Sequence, residues 1–232
     1  MKLQKTVLIA GTVAMSAMLQ TAQANLAGLI SSNGSITTQD GTLTFSDFSL
    51  SGNAGLIADA DDLTVGTINQ GGINYLAFSG AFVGVSGINS ADLTLNYTVT
   101  ANDGAIVMID QKYTPDANNF VGAGDEIIIG ETASGNIDSQ IANSTLTLQP
   151  LDLSDPVAEP GDNLNFGTPQ TIVDVTKDFL FTSGNANDIV GLSVLDQSFH
   201  TVPEPTTVLA GALLLLPLGA STLRILRRNR TA

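Results

Sequence analysis

The chain has 232 residues, with no cysteine, no tryptophan, one histidine and only eight Lys and Arg. Without thiols it has no disulfide, no thiolate metal site and no cysteine nucleophile. A body of ordinary domain size can still bury enough apolar surface to fold without such staples. A single imidazole excludes a poly-histidine metal centre and leaves one candidate base for a hydrolytic triad, His200. It lies three residues before Pro203, which predicts a linker residue at the exit of the body.

The scarce basic residues sit at the ends. Lys2 and Lys5 begin the chain, and Arg224, Arg227, Arg228 and Arg230 finish it. Only Lys112 and Lys177 lie between. Of the 22 acids only Glu204 lies outside the stretch from Asn25 to Val202, so 21 acids face two bases there, a balance of −19 against −14 for the whole chain. Such a body repels phosphate backbones, which excludes nucleic acid as a partner, and it repels anionic membrane surfaces.

The N-terminal segment has a basic start, an apolar stretch from Thr6 to Leu19 and then Ala22-Gln23-Ala24. That order predicts a signal peptide over 1–24, with a signal helix and cleavage by signal peptidase between Ala24 and Asn25. The C-terminal segment, 202–232, has three parts. Pro203-Glu204-Pro205 resists helix formation and stays extended. The uncharged run 206–223 spans about 27 Å as a helix, enough for a bilayer core. The Arg cluster behind it favours the cytoplasmic side, which leaves the acidic body outside the inner membrane.

Motif, apolar helix, Arg-rich tail and chain terminus in this order resemble the PEP-CTERM sorting signal. The resemblance implies recognition by an exosortase, a membrane protease and transpeptidase. It would cut near Pro203, Glu204 and Pro205 and release the body to the cell surface or extracellular matrix of an exopolysaccharide producer. The inner membrane is then only a transient partner, and exopolysaccharide the expected surroundings. The body also resembles those of other PEP-CTERM proteins, at Leu93–Val99, Val175–Asp178 and Val194–Phe199. No activity comes with that resemblance.

The body, 25–201, reads as all-β. Leu93, Leu95, Tyr97 and Val99 alternate with polar residues, the period of a half-buried strand. Similar runs start at Leu43 and Phe45, at Leu146 and Leu148, and at Val190, Leu192 and Val194. Val173 and Val175 share parity with Phe179 and Phe181. Ile73, Tyr75 and Ala77 alternate, with Phe78 out of phase. Ile127-Ile128-Ile129 predicts a strand buried on both faces. Turn residues divide the runs at Ser32-Asn33-Gly34, Asp40-Gly41, Gly71-Gly72, Asn102-Asp103-Gly104, Ser134-Gly135-Asn136 and Ser183-Gly184-Asn185. Nine or ten strands in an antiparallel β-sandwich, Ig-like or jelly-roll-like, are expected, with a barrel as the alternative. No ten-residue helical stripe is present, and 154–170, with three prolines, reads as a surface loop.

No cofactor is required by any motif. The densest acidic patch, Asp59, Asp61 and Asp62, is the candidate for Ca²⁺, although it lacks EF-hand spacing and reads otherwise as a solvated loop. Asp125, Glu126 and Glu131 are candidate carboxylates for glycan hydrolysis, with solvated strand-end acids as the plainer reading; Glu126 and Glu131 differ in parity and so face opposite ways. Lys177 and Asp178 are expected on a strand surface. Gly122, Gly124 and Gly130 precede no helix and form no phosphate loop. Tyr113 is the candidate exposed aromatic for a sugar platform. The expectation is therefore a non-enzymatic surface or matrix protein. A glycan- or Ca²⁺-binding module is the first alternative and a carboxylate-based glycan hydrolase the second.

Overall fold

The computed structural model describes residues 20–52, 60–83, 90–115, 124–148, 162–184 and 190–203. The predicted signal helix and the membrane helix 206–223 lie outside these residues. Among the described residues, no helix is long and apolar enough to cross a membrane.

Among the described residues, twelve strands build two six-stranded antiparallel sheets. In chain order they are β1 (Gln20–Asn25), β2 (Ile36–Thr37), β3 (Leu43–Gly52), β4 (Leu63–Gln70), β5 (Ile73–Val83), β6 (Ser90–Ala101), β7 (Ala105–Pro115), β8 (Glu126–Gly135), β9 (Ile141–Leu148), β10 (Asn163–Gln170), β11 (Ile172–Thr182) and β12 (Gly191–Val202). One sheet has the order β1-β4-β5-β12-β7-β10, the other β2-β3-β6-β11-β8-β9. The chain is an antiparallel β-sandwich, as the alternating pattern predicts.

The core lies between the sheets. From β6, Leu93, Leu95, Tyr97 and Val99 all point inward and are buried. They meet β11 in a straight register, with Val175 opposite Tyr97 and Phe179 opposite Leu93. Rings join the two layers. Phe45 of β3 packs on Phe199 of β12 with centroids 5.1 Å apart, and Phe48 and Tyr97 both meet Phe78 of β5. Such ring pairs add to the apolar area they remove from water.

Several local expectations change. Ile128 is only half-buried while Ile127 and Ile129 are fully buried, so β8 alternates instead of being apolar on both faces. In β5 the inward set is Asn74, Leu76 and Phe78, so Phe78 is in phase and Ile73 and Tyr75 are not. A bulge between Leu192 and Val194 moves the inward phase of β12 to Leu195. Residues 163–170, expected in a loop, form β10. It is an edge strand, where Pro169 costs no ladder bond on its open side.

Ser32-Asn33-Gly34 is not a hairpin turn. It ends a short helix, α1 (Leu26–Ser32), that periodicity did not show. Asn33 adopts φ 48° and ψ 45°, and the N–H groups of Asn33 and Gly34 donate to Ile30 and Leu29. This is a left-handed helix C-cap, which Asn tolerates through its short polar side chain. Gly104 has φ +83°, and a Cβ there would lie 2.2 Å from the carbonyl oxygen of Val202. The turn between β6 and β7 therefore presses against the last residue of β12.

Candidate functional site

The charged residues that sequence pattern places on the surface converge instead inside the sandwich. Lys177 of β11 is fully buried, as is Glu131 of β8, and the two strands hold them directly opposite. Lys177 Nζ lies 2.9 Å from Glu131 Oε1. From the other sheet Gln111 of β7 reaches in, its Oε1 2.5 Å from the same Nζ. The Tyr113 hydroxyl donates to that Gln111 Oε1, and Gln111 Nε2 donates to Asp162 Oδ2. Ser144 of β9 donates to Asp162 Oδ2 at 2.7 Å and accepts from Gln111 Nε2 at 3.1 Å. The ammonium lies 5.9 Å from the Tyr113 ring centroid. Next to this group, the Tyr97 hydroxyl donates to Gln197 Oε1 at 3.5 Å.

The electrostatics follow from burial. Desolvation pushes the Glu131 carboxyl up, opposed by the Lys177 charge, and pushes the Lys177 amine down, opposed by Glu131. Both partners are driven toward neutrality. Burial also raises the Tyr97 and Tyr113 hydroxyls, helped by the Glu131 charge. Glu131 Oε2 has no hydrogen-bond partner among the described residues. Burying this pair costs desolvation free energy that the Lys177–Glu131 attraction offsets only in part, since Oε2 is left without a partner.

This arrangement corrects three expectations. Lys177 is not a strand-surface residue, although Asp178 is. Glu131 is not a solvated acid. Tyr113 is not an exposed platform aromatic, since it lies in β7 and packs partly buried against the core. One signal was available for Lys177: it shares parity with Val173, Val175, Phe179 and Phe181. Nothing in sequence spacing ties Gln111 or Asp162 to it, because Gln111 comes from the opposite sheet and Asp162 from directly before β10.

The other candidates do not join this cluster. Asp125 is buried and accepts the Gly184 N–H at 3.0 Å, an end-of-strand brace. Glu126 is half-buried at the start of β8, on the face opposite Glu131 as parity requires. The structure thus brings no two of these three acids together across a cleft. Asp61 and Asp62 lie exposed in a 3-10 turn, Ala60–Asp62, whose Asp61 carbonyl accepts from Asn25 Nδ2 at 2.7 Å. Asp59 lies outside the described residues. Among the described residues, no three His, Cys, Asp or Glu gather as a metal site. His200 is not in a linker. It belongs to β12, pairs with Met108 and has Nε2 3.5 Å from Ser198 Oγ.

At the processing positions, Ala22 and Ala24 lie in β1 and pack partly buried against the core. Asn25 caps α1 by accepting the Gly28 N–H at 3.0 Å. Pro203 ends the described residues; Glu204, Pro205 and Arg224, Arg227, Arg228 and Arg230 lie outside them.

The outer face of the β2–β9 sheet is a lattice of small polar groups. Thr98 donates to Asp174 at 2.7 Å and Thr94 to Asp178 at 3.2 Å. Asn96 accepts from Thr176 at 2.7 Å and donates to Ser49 at 3.2 Å.

By fold the chain is an antiparallel β-sandwich. No family model matches it, and no curated protein matches it. Among solved structures it is similar to TmCBM61 in complex with β-1,4-galactotriose, at 12% identity and a TM-score of 0.33, over 66% of this chain and 88% of that one. It is similar to TmCBM27, a carbohydrate-binding module described for specific mannan recognition, at 8% identity and a TM-score of 0.29, over 79% and 98% of the two chains. A family two carbohydrate esterase from Cellvibrio japonicus follows at 13% identity and a TM-score of 0.23, over 68% of this chain and 36% of that one.

Proposed function

We propose that the chain is an exported, non-enzymatic surface or matrix protein, delivered by a signal peptide and released by an exosortase. One observation supports this above others. The last described strand, β12, ends at Val202, directly before the Pro203 with which the sorting motif read from the sequence begins. A cut within Pro203-Glu204-Pro205 would cost the body none of its described strands. The non-enzymatic reading has its own support. Of the candidate hydrolytic acids, Asp125 and Glu131 are buried, and Glu126 lies on the other face of β8, so the three form no carboxylate pair across a cleft.

The test replaces Pro203, Glu204 and Pro205 by alanine in the native host. The expected outcome is full-length protein retained in the inner membrane fraction. Normal processing and release would overturn the sorting proposal.

A second reading, a glycan-binding module, has the outer face of the β2–β9 sheet as its surface. The Ser49–Asn96–Thr176 row and the Thr–Asp pairs offer donors and acceptors at the pitch of neighbouring strands, which suits sugar hydroxyls. Binding on a glycan array that is lost with Asn96→Ala and Thr176→Ala together would favour it. An array without signal would leave the matrix reading alone.

A further inference from the structure

We propose that Lys177 and Gln111 form an intramolecular isopeptide bond that joins the two sheets covalently, with release of ammonia. The geometry holds each participant such a condensation needs. The amine is Lys177 Nζ, fully buried on β11. The electrophile is the side-chain carboxamide of Gln111 on β7, whose oxygen is 2.5 Å from that nitrogen. The base is Glu131, whose Oε1 is 2.9 Å from Nζ. The Tyr113 hydroxyl donates to the carbonyl oxygen on which negative charge develops. Asp162 and Ser144 accept from Nε2, the nitrogen that leaves.

The step balances without any outside reagent. Glu131 takes the proton of the Lys177 ammonium, and the freed Nζ lone pair attacks Cδ of Gln111. The carbonyl π electrons move onto oxygen, where the Tyr113 O–H stabilises them. The tetrahedral centre then collapses. The Cδ–Nε2 bond breaks as the proton held by Glu131 passes to Nε2, which departs as ammonia, and Glu131 takes up the proton that Nζ sheds on becoming an amide nitrogen. An amine and a primary amide become a secondary amide. The paired strands hold Nζ 2.5 Å from the Gln111 carboxamide oxygen, which replaces a bimolecular encounter by a fixed one. The dry interior disfavours the reverse hydrolysis. Burial favours the neutral amine, the nucleophilic form, and a carboxyl able to hold a proton, the shuttle form. The open Oε2 of Glu131 gives that proton a place. Such a bond performs in a cysteine-free exported chain what a disulfide performs elsewhere, and reductants do not cleave it.

The experiment is intact-mass spectrometry of the full chain, denatured and reduced, with its N-terminus established by sequencing. The expected mass is lower than the sequence mass by one ammonia, about 17 Da. Proteolytic mapping should find one branched species containing both Gln111 and Lys177. Separate linear peptides carrying free Gln111 and free Lys177 would overturn the proposal. A loss of water with Lys177 joined to Glu131 would overturn the choice of Gln111. Glu131→Gln preserves the shape of the side chain but not the base, and should show its own full sequence mass. A cross-linked Glu131→Gln protein would remove Glu131 from the mechanism. The wild-type result stands even if that variant fails to fold.

Discussion

Replacing Phe45 by alanine tests whether the two sheets are joined through the ring cluster. Phe45 is fully buried. Its ring lies 5.1 Å from Phe199 on the facing sheet and 6.4 Å from Tyr97 on the adjoining strand. Phe-to-Ala truncations in cores cost about 3–5 kcal/mol, including the cavity left behind. The site is enclosed by two rigid layers and cannot collapse easily, which places it near 4 kcal/mol or above. Phe45→Leu keeps most of the volume and forfeits the ring pairs, so about 1–2 kcal/mol is expected. Urea unfolding followed by tyrosine fluorescence reads both. At a slope of about 2 kcal/mol per molar, Phe45→Ala should lower the midpoint by about 2 M and Phe45→Leu by less than about 1 M. Thr145→Ala, on the exposed side of β9, should move it little. Equal costs for the alanine and leucine variants, or a shift under about 0.5 M for alanine, would refute an inter-sheet core centred on Phe45.

Two further perturbations read other parts of the body. Burial raises the Asp40 carboxyl, but hydrogen bonds from Thr38, Asn74 and Thr42 outweigh it and hold the group at about 2. Its folded value lies below the ordinary carboxylate range, so the stability it supplies is present above about pH 4 and is lost as pH falls toward 2. Asp40→Asn should flatten that part of the acid-unfolding curve, and an unchanged curve would show that the turn bonds do not hold in solution. Gly104→Ala forces a Cβ against the Val202 carbonyl at positive φ. A loss of about 2 kcal/mol or more, with faster proteolysis at the Val202–Pro203 junction, is expected. Wild-type resistance at that junction would show that the turn and the exit strand can separate without cost.

Strand existence was legible wherever one face is wet. β6 and β11 alternate cleanly because each sheet has a polar outer side, visible in Asp92, Thr94 and Asn96 between Leu93, Leu95 and Tyr97. Phase was less legible, because bulges reset it. The steps in β3 between Ser46 and Ser49, and in β12 between Leu192 and Val194, put Phe48 and Leu195 inward where a strict period of two would turn them out. α1 was hidden because seven residues are too few for a helical stripe, and its Asn33 cap carries the same letters as a hairpin turn. The polar cluster was hidden for a different reason. Lys177 and Glu131 lie in phase with the core, yet their charge argues for the surface, and only the pairing of β8 with β11 and the approach of β7 show the charge to be matched. The two chain ends remain legible only as sequence.

The position of β12 constrains when the domain can close. It is the last described strand, yet it lies between β5 and β7 in the middle of its sheet. On the export route proposed here, the polypeptide crosses the membrane N-terminus first. β5 and β7 then wait outside with facing edges unpaired until Gly191–Val202 arrives. Non-local pairing of this kind forms slowly and late. A cut upstream of β12 would liberate a body with a gap through the centre of this sheet, whereas a cut behind Val202 leaves the sheet whole.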